Sequence, residues 1–107
     1  MVYVHELMQS PGTAKESQAA RVFPAGKLFS HMIADSEDEL VGFALVIGMK
    51  AEWLQEAGTY RAHFDITARR FNKAIKFPHV KLLTKREFAV FLQRRREVFN
   101  ADQKSGI

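Results

Sequence analysis

The chain has 107 residues, a usual length for one domain, so we expect a single core spanning 1–107 and no interior domain boundary. It contains no cysteine, which excludes disulfides, thiolate metal sites and cysteine nucleophiles. A formal charge of +4 and a pI near 9.6 favour polyanions such as nucleic acid as partners, although proteins with this charge often bind none.

The hydropathy of the chain bears on its location in the cell. The longest strongly apolar run, Leu40 to Met49, is about half the length needed to cross a bilayer. The N-terminus lacks the charged-then-apolar pattern of a signal peptide. We therefore expect a cytoplasmic protein without a membrane partner.

Two strands are predicted in the first third of the chain. Val2 to Leu7 is rich in β-prone residues and ends before the breaker Ser10-Pro11-Gly12. The segment from Met8 to Gly26 is mostly polar and is predicted to be a long loop. Lys27 to Ala34 is the second predicted strand.

The second strand leads directly into a predicted helix. Ser36-Glu37-Asp38-Glu39 forms a capping box with acidic residues at the positive end of the helix dipole, and the helix is predicted to run to about Gly48. Its core-facing stripe is predicted to contain Leu40, Phe43, Ala44 and Ile47. The additional apolar residues Val41, Leu45 and Val46 place this helix either between two layers of the domain or in a subunit interface.

The segment from Thr59 to Ile66 alternates as a strand does. Its two faces are predicted to carry Tyr60, Ala62, Phe64 and Ile66 on one side and Arg61, His63 and Asp65 on the other. Thr67 is the predicted cap of a helix that continues to Phe77.

The last two elements are a strand from His79 to Leu83 and a helix opened by the capping box Thr84-Lys85-Arg86-Glu87. Residues 100–107 are predicted to form a frayed tail. Three successive strand-to-helix steps predict right-handed parallel crossovers. The expected fold is α/β, with a small single-layer sheet of about four mostly parallel strands and three helices packed on it.

Histidine and aspartate recur together on two of these strands. His31 and Asp35 share a face of the second strand, as His63 and Asp65 share a face of the third. Ligands bind beyond the carboxyl ends of strands in parallel sheets, so we expect a common cleft there if the two strands are neighbours. The set suits a divalent zinc, manganese or iron ion held by His31, His63 and Asp65, or acid–base catalysis on a phosphate ester.

A structural role for the same residues is an open alternative. The aspartates can simply cap the helices that follow them, and the histidines can be hydrogen-bonded within the sheet. The two interpretations differ in whether the side chains converge.

Several cationic and aromatic residues are candidate ligand-binding groups. Arg69, Lys73 and Lys76 form a basic ridge on one helix face, which can follow phosphates or be only a solvated surface. Arg61 lies on the His63 strand and can add charge there. Trp53 can stack on a base or close the core.

Arg95 falls inside the apolar stripe of the last helix, formed by Phe88, Phe91, Leu92 and Phe99. A buried guanidinium needs a partner, so Arg95 is predicted to reach an acidic side chain or a ligand phosphate. The alternative is that it extends to solvent over the end of the helix.

A family resemblance rests on five segments: Ser30-His31-Met32-Ile33-Ala34-Asp35, Glu39-Leu40, Ile47-Gly48, Trp53-Leu54-Gln55 and His63-Phe64-Asp65-Ile66. They resemble the pattern of a small bacterial and phage family, the domain of unknown function 4031. The first strand departs from that pattern, because His5-Glu6 stands where acidic residues are expected. The resemblance implies no reaction, but it coincides with the residues that strand geometry selects.

Two hypotheses of function follow. The first is a small protein that binds or acts on a phosphate-bearing ligand, a nucleotide or nucleic acid, with a divalent metal ion as its candidate cofactor. The second is a non-catalytic interaction module that dimerises or docks through the apolar first helix.

Overall fold

A computed structural model describes residues 1–9 and 27–105, with side chains described through Ala101. The predicted polar loop from Met8 to Gly26 begins with a two-residue strand, and its positions 10–26 lie outside the described residues. Where a frayed tail is predicted from Asn100, the last helix continues to Ser105.

The described residues form five strands, three α-helices and a 3-10 turn. The strands are β1 (Val2–His5), β2 (Met8–Gln9), β3 (Leu28–Ala34), β4 (Phe64–Thr67) and β5 (Val80–Leu83). The helices are α1 (Glu37–Val46), α2 (Ala68–Ala74) and α3 (Lys85–Ser105), and the 3-10 turn is Ala51–Trp53.

The sheet is organised around β3. Phe29 pairs with Met8 on one side and with Thr67 on the other, so β2 and β4 flank opposite edges of β3. The strand order is therefore β4, β3, β1 and β5, and β2 pairs with the same edge of β3 as β1 does. Only β1 and β5 are parallel among these pairs. The α/β class with three helices is confirmed, but the sheet is mixed and mostly antiparallel, whereas mostly parallel strands are predicted.

The direction of β4 explains one of the three antiparallel pairs, that of β3 with β4. The chain returns from α1 along the edge of the sheet, where Gln55 pairs antiparallel with His63. Between them lies a turn in which Glu56 and Gly58 have positive φ values of 54° and 78°. This turn reverses the chain, so β4 runs antiparallel to β3 rather than parallel to it.

The two faces of the sheet are covered by different helices. One face packs against α1 and α2 in the main core, which includes Val4, Met32, Phe64, Phe43 and Phe71. The other face packs against α3 through a smaller cluster centred on Ile33, Leu83 and Phe88. Strand alternation sends His5, His31 and Asp65 to this second face.

The predicted helix starts are confirmed. The Ser36 hydroxyl accepts a hydrogen bond from the Glu39 backbone N–H, and Thr67 accepts one from Arg70. The N–H of Glu87 donates to the Thr84 hydroxyl, while the Glu87 carboxylate accepts from the Thr84 N–H. These bonds satisfy N–H groups that the first turn of a helix leaves free.

Along the described ranges, none of the helices has the length and apolar character that crossing a membrane requires.

Candidate metal centre

The pairing of β3 with β4 brings three predicted metal ligands together. His31 lies directly opposite Asp65 in the ladder, and His63 precedes Asp65 by two residues on the same face. One potential ligand atom from each of the three residues lies within 4.8 Å of the other two. The predicted convergence of His31, His63 and Asp65 is thus present in the fold.

The distances between these atoms suit a metal ion. His31 Nε2 lies 3.4 Å from Asp65 Oδ1, and His63 Nε2 lies 3.6 Å from the same oxygen. Bonds of about 2.0 to 2.1 Å to a tetrahedral zinc ion place two ligand atoms roughly 3.3 to 3.4 Å apart. The two separations from Asp65 Oδ1 are close to this spacing, and the ligand atoms of the two imidazoles lie within 4.8 Å of each other.

The hydrogen-bond chain behind His31 fixes which nitrogen faces Asp65. His5 Nδ1 lies 2.7 Å from the Glu6 carbonyl oxygen, which can only accept, so His5 Nδ1 carries the hydrogen. The single lone pair of His5 Nε2 is then shared by two donors, the His31 backbone N–H at 3.0 Å and His31 Nδ1 at 2.8 Å. We infer that neutral His31 is protonated on Nδ1 and directs the lone pair of Nε2 toward Asp65.

His63 is held in the same way. Its Nδ1 lies 2.6 Å from the Arg61 carbonyl oxygen and must donate to it. The neutral imidazole therefore also presents a lone pair on Nε2. Carbonyl groups commonly orient metal-binding histidines in this manner.

Asp65 has one satisfied and one unsatisfied oxygen. The Gln55 side-chain amide donates to Oδ2 at 2.6 Å. Oδ1 is buried and has no hydrogen-bond partner within the described part of the chain, and only 5% of the side chain is exposed. A buried carboxylate oxygen without a donor is costly unless a cation compensates it.

The protonation state of His31 leaves Asp65 Oδ1 without a positive charge from this neighbour. Burial lowers the pKa of His31 to about 4, a shift that the negative charge of Asp65 only partly opposes. His31 is therefore neutral near pH 7, and its contact with Asp65 is not an ion pair. With His63 also in its neutral form, two nitrogen lone pairs and a carboxylate oxygen converge with no hydrogen between them, which is the environment of a cation site.

A cavity of about 300 Å³ adjoins this cluster. Both imidazoles of the candidate ligands line it, as does His5. The cations at its rim are Arg61 and Lys85, and its apolar wall is formed by Met8, Ile33, Phe88, Ala89 and Leu92. An ion at the cluster would therefore face the cavity.

Asp35 does not join the cluster. It follows the end of β3, four residues or about 13 Å of strand beyond His31. Its carboxylate accepts a hydrogen bond from the Tyr3 hydroxyl at 2.9 Å. The expectation that two aspartates meet at the carboxyl ends of parallel strands fails because β3 and β4 run in opposite directions.

In the described ranges, Arg95 does not contact the acidic side chain that is predicted as its partner. Its guanidinium donates to the backbone carbonyl of Asp35 at 3.4 Å and lies 5.9 Å from the centre of the Phe91 ring. Nη1 is buried with no hydrogen-bond partner among the described residues. Arg95 does not line the cavity next to the histidines.

Trp53 and the basic ridge also lie apart from the cluster. Trp53 is 39% exposed and packs beside the Arg70 guanidinium, 5.5 Å from the ring centre. Arg69 and Lys73 line a separate cavity near Gly48 and Thr67. With Lys76, they are exposed on the side of the sheet covered by α2. Of the predicted ligand-binding cations, only Arg61 lines the histidine cavity.

Three contributing residues were not predicted from the sequence: His5, Gln55 and Lys85. His5 is 2% exposed, and burial lowers its pKa. One signal in the sequence points to His5: it lies two residues after Tyr3 on β1, so the two side chains share a face of the strand. That signal does not show which strand lies next to β1.

Comparison with protein families gives one match. The family model described as "Protein of unknown function (DUF4031)" matches residues 18–95. No curated protein and no solved structure matches the chain. The matched segment contains His31, His63 and Asp65 and covers most of the sequence. The chain belongs to the DUF4031 family.

Proposed function

We propose that this protein binds a divalent zinc, manganese or iron ion through His31, His63 and Asp65, and that the ion takes part in binding a phosphate-bearing ligand. The observation that carries the proposal is the buried Asp65 Oδ1, which has two imidazole nitrogens within 3.6 Å and no hydrogen-bond donor among the described residues. Two histidines and a carboxylate are a common ligand set for these metals.

A three-residue ligand set leaves coordination positions for other molecules. Structural zinc sites are usually closed by four protein ligands, whereas sites with three protein ligands hold a water or a substrate. The cavity supports this interpretation, because His31 and His63 line its wall. When bound, such a metal ion can polarise a phosphate ester and lower the pKa of a coordinated water molecule.

The surrounding charge supports an anionic ligand. Arg61 and Lys85 line the cavity, and Arg61 is paired in part with Glu56 at 3.5 Å. Lys85 has no ion pair in the described ranges 1–9 and 27–105. A phosphate bound to the metal ion would lie within reach of these cations. In this proposal His31, His63 and Asp65 hold the metal ion. If no metal ion binds, acid–base catalysis by these side chains is the interpretation to adopt.

Thermal unfolding of chelator-treated protein tests the proposal. Zinc or manganese at about a hundred times its dissociation constant should stabilise the fold by roughly 2.7 kcal/mol, which corresponds to about ten degrees or more in a domain of this size. The His63→Ala variant should lose this shift. The His79→Ala variant is the matched control, because His79 is exposed and contacts Phe43 and Phe77 instead.

Inorganic phosphate is then added to the metal-free and to the metal-loaded protein. It should raise the midpoint further only when metal is present. Absence of a metal-induced shift in the wild type, or an equal shift in His63→Ala, would contradict the proposal.

A second candidate function is supported by the surface of α1. Leu45 and Val46 are 56% and 62% exposed, while Val41 packs partly against the core. Self-association through these two side chains would cover them. Light scattering of the wild type and of a Leu45→Ser/Val46→Ser variant tests it: a dimer that becomes a monomer supports the interaction module, and a monomeric wild type counts against it.

A further inference from the structure

Resting on the proposed metal site, we infer that the ligand is a small phosphomonoester of an apolar or aromatic group held inside the histidine cavity, and not a nucleic-acid strand lying across the surface. The inference depends on the volume, the charge and the apolar wall of this cavity. Each of these distinguishes a small ligand from a polymer.

The volume is that of a small-molecule site. About 300 Å³ lies at the lower end of the range for pockets that enclose such ligands. Proteins that bind single strands instead use open grooves that follow the backbone over about four or more nucleotides. Other basic residues line different cavities, Arg69 and Lys73 one of them and Lys81, Arg86 and Arg94 another.

The charge around the cavity matches a monoester better than a diester. A divalent ion with Arg61 and Lys85 supplies four positive charges, of which Asp65 and Glu56 neutralise two. Glu6 accepts a hydrogen bond from the Lys85 backbone N–H at 3.3 Å, but its side chain does not line the cavity. A phosphomonoester carries about −1.5 to −2 near pH 7, because its second pKa is near 6. A diester linkage of nucleic acid carries only one negative charge, which would leave positive charge uncompensated beside the metal.

The apolar part of the cavity wall selects the rest of the molecule. Helix α3 contributes Phe88, Ala89 and Leu92 to one side of the cavity, and Ile33 and Met8 complete the apolar surface. Sugar hydroxyls or further phosphates would lose hydrogen bonds to water against this wall. An aromatic or aliphatic group would gain from burial there.

Calorimetric titration of the metal-loaded protein tests the inference with three probes: phenyl phosphate, inorganic phosphate, and an oligonucleotide of about ten nucleotides without a terminal phosphate. Phenyl phosphate should bind at least about tenfold more tightly than inorganic phosphate, because the ring adds buried apolar area. The oligonucleotide should bind more weakly than either.

Two sets of variants test the contribution of the apolar wall and that of the cavity's positive charges separately. Ala89→Trp places a ring in the cavity and should abolish the preference for phenyl phosphate while metal binding persists. Val90→Trp, on the neighbouring residue that does not line this cavity, is its control. Arg61→Ala and Lys85→Ala should each weaken phenyl phosphate about tenfold or more. The exposed Arg96→Ala is their control.

The outcomes distinguish failure of the inferred ligand from failure of the proposed metal site. Tighter binding of the oligonucleotide than of phenyl phosphate, or an unchanged preference in Ala89→Trp, overturns the inference while leaving the metal site intact. A wild type that binds no metal overturns the proposed function itself.

Discussion

His31 Nε2 and Asp65 Oδ1 lie 3.4 Å apart across the β3–β4 pair, yet no hydrogen joins them in the neutral form of the imidazole. The hydrogen of His31 is on Nδ1, where His5 accepts it. An ordinary structural His–Asp pair would place the hydrogen between the two residues. This arrangement instead leaves two acceptors facing each other.

Asp65→Asn should weaken metal binding but stabilise the metal-free protein. The amide oxygen can keep the hydrogen bond from Gln55, while the new N–H group donates to an imidazole nitrogen. Satisfying a buried acceptor in this way is worth about 1 kcal/mol, measured by urea denaturation after chelation. Asp38→Asn, in the first turn of α1, should instead lose a few tenths of a kcal/mol of dipole stabilisation. A clear loss of stability in Asp65→Asn would mean that Asp65 is already paired with a protonated histidine.

His5 is predicted to position His31 without touching the metal. Replacing it with Phe removes the acceptor for His31 Nδ1 and should reduce metal affinity by about 10- to 100-fold, as loss of such supporting contacts usually does. His5→Gln places an amide oxygen near the position of Nε2 and should restore most of the affinity. Calorimetric titration with zinc measures both variants. Equal affinities for wild type and His5→Phe would rule out this role.

The stability of the metal-free protein should fall as the pH is lowered from about 6.5 to about 4. Burial lowers the pKa of both His5 and His31 from the ordinary value of 6.5, so the unfolded chain binds more protons than the folded one in this range. The stabilisation is fully present above about pH 6.5 and is lost as the pH falls toward the folded-state pKa. Urea denaturation across this range should show a shallower decline for His31→Gln; the same decline in both proteins would assign the effect to other groups.

Thr84→Ala should destabilise the protein by about 1 kcal/mol, because it breaks one of the two bonds of the capping box that starts α3. Thr84→Ser keeps the hydroxyl and should recover most of the loss. Thermal unfolding measures both. Since α3 forms the apolar wall of the cavity, an unaffected Thr84→Ala midpoint would show that packing alone holds the helix.

Much of this arrangement was predictable from local patterns. Alternation along the strands correctly predicts that Asp65 lies on the face opposite Phe64 and Ile66, whose side chains are buried in the main core. Capping boxes at Ser36 and Thr84 mark helix starts that the structure confirms. These signals are local in sequence, and no distant residue is needed to interpret them.

The strand order and direction were not predictable in this way. A single turn containing Glu56 and Gly58 reverses β4, and Glu56 in a positive-φ conformation gives no sequence signal. Because of that reversal, Asp65 lies opposite His31 and not beside Asp35 at the end of β3. The contribution of His5 depends on β1 pairing with β3, a contact between residues far apart in the chain.

The most direct test of the metal site is a crystal structure of zinc-soaked protein with anomalous data collected at the zinc absorption edge. We expect one strong peak about 2.0 to 2.2 Å from His31 Nε2, His63 Nε2 and Asp65 Oδ1, with the remaining position facing the cavity. Zinc bound elsewhere, or no peak between these three atoms under conditions that saturate the protein, would contradict it.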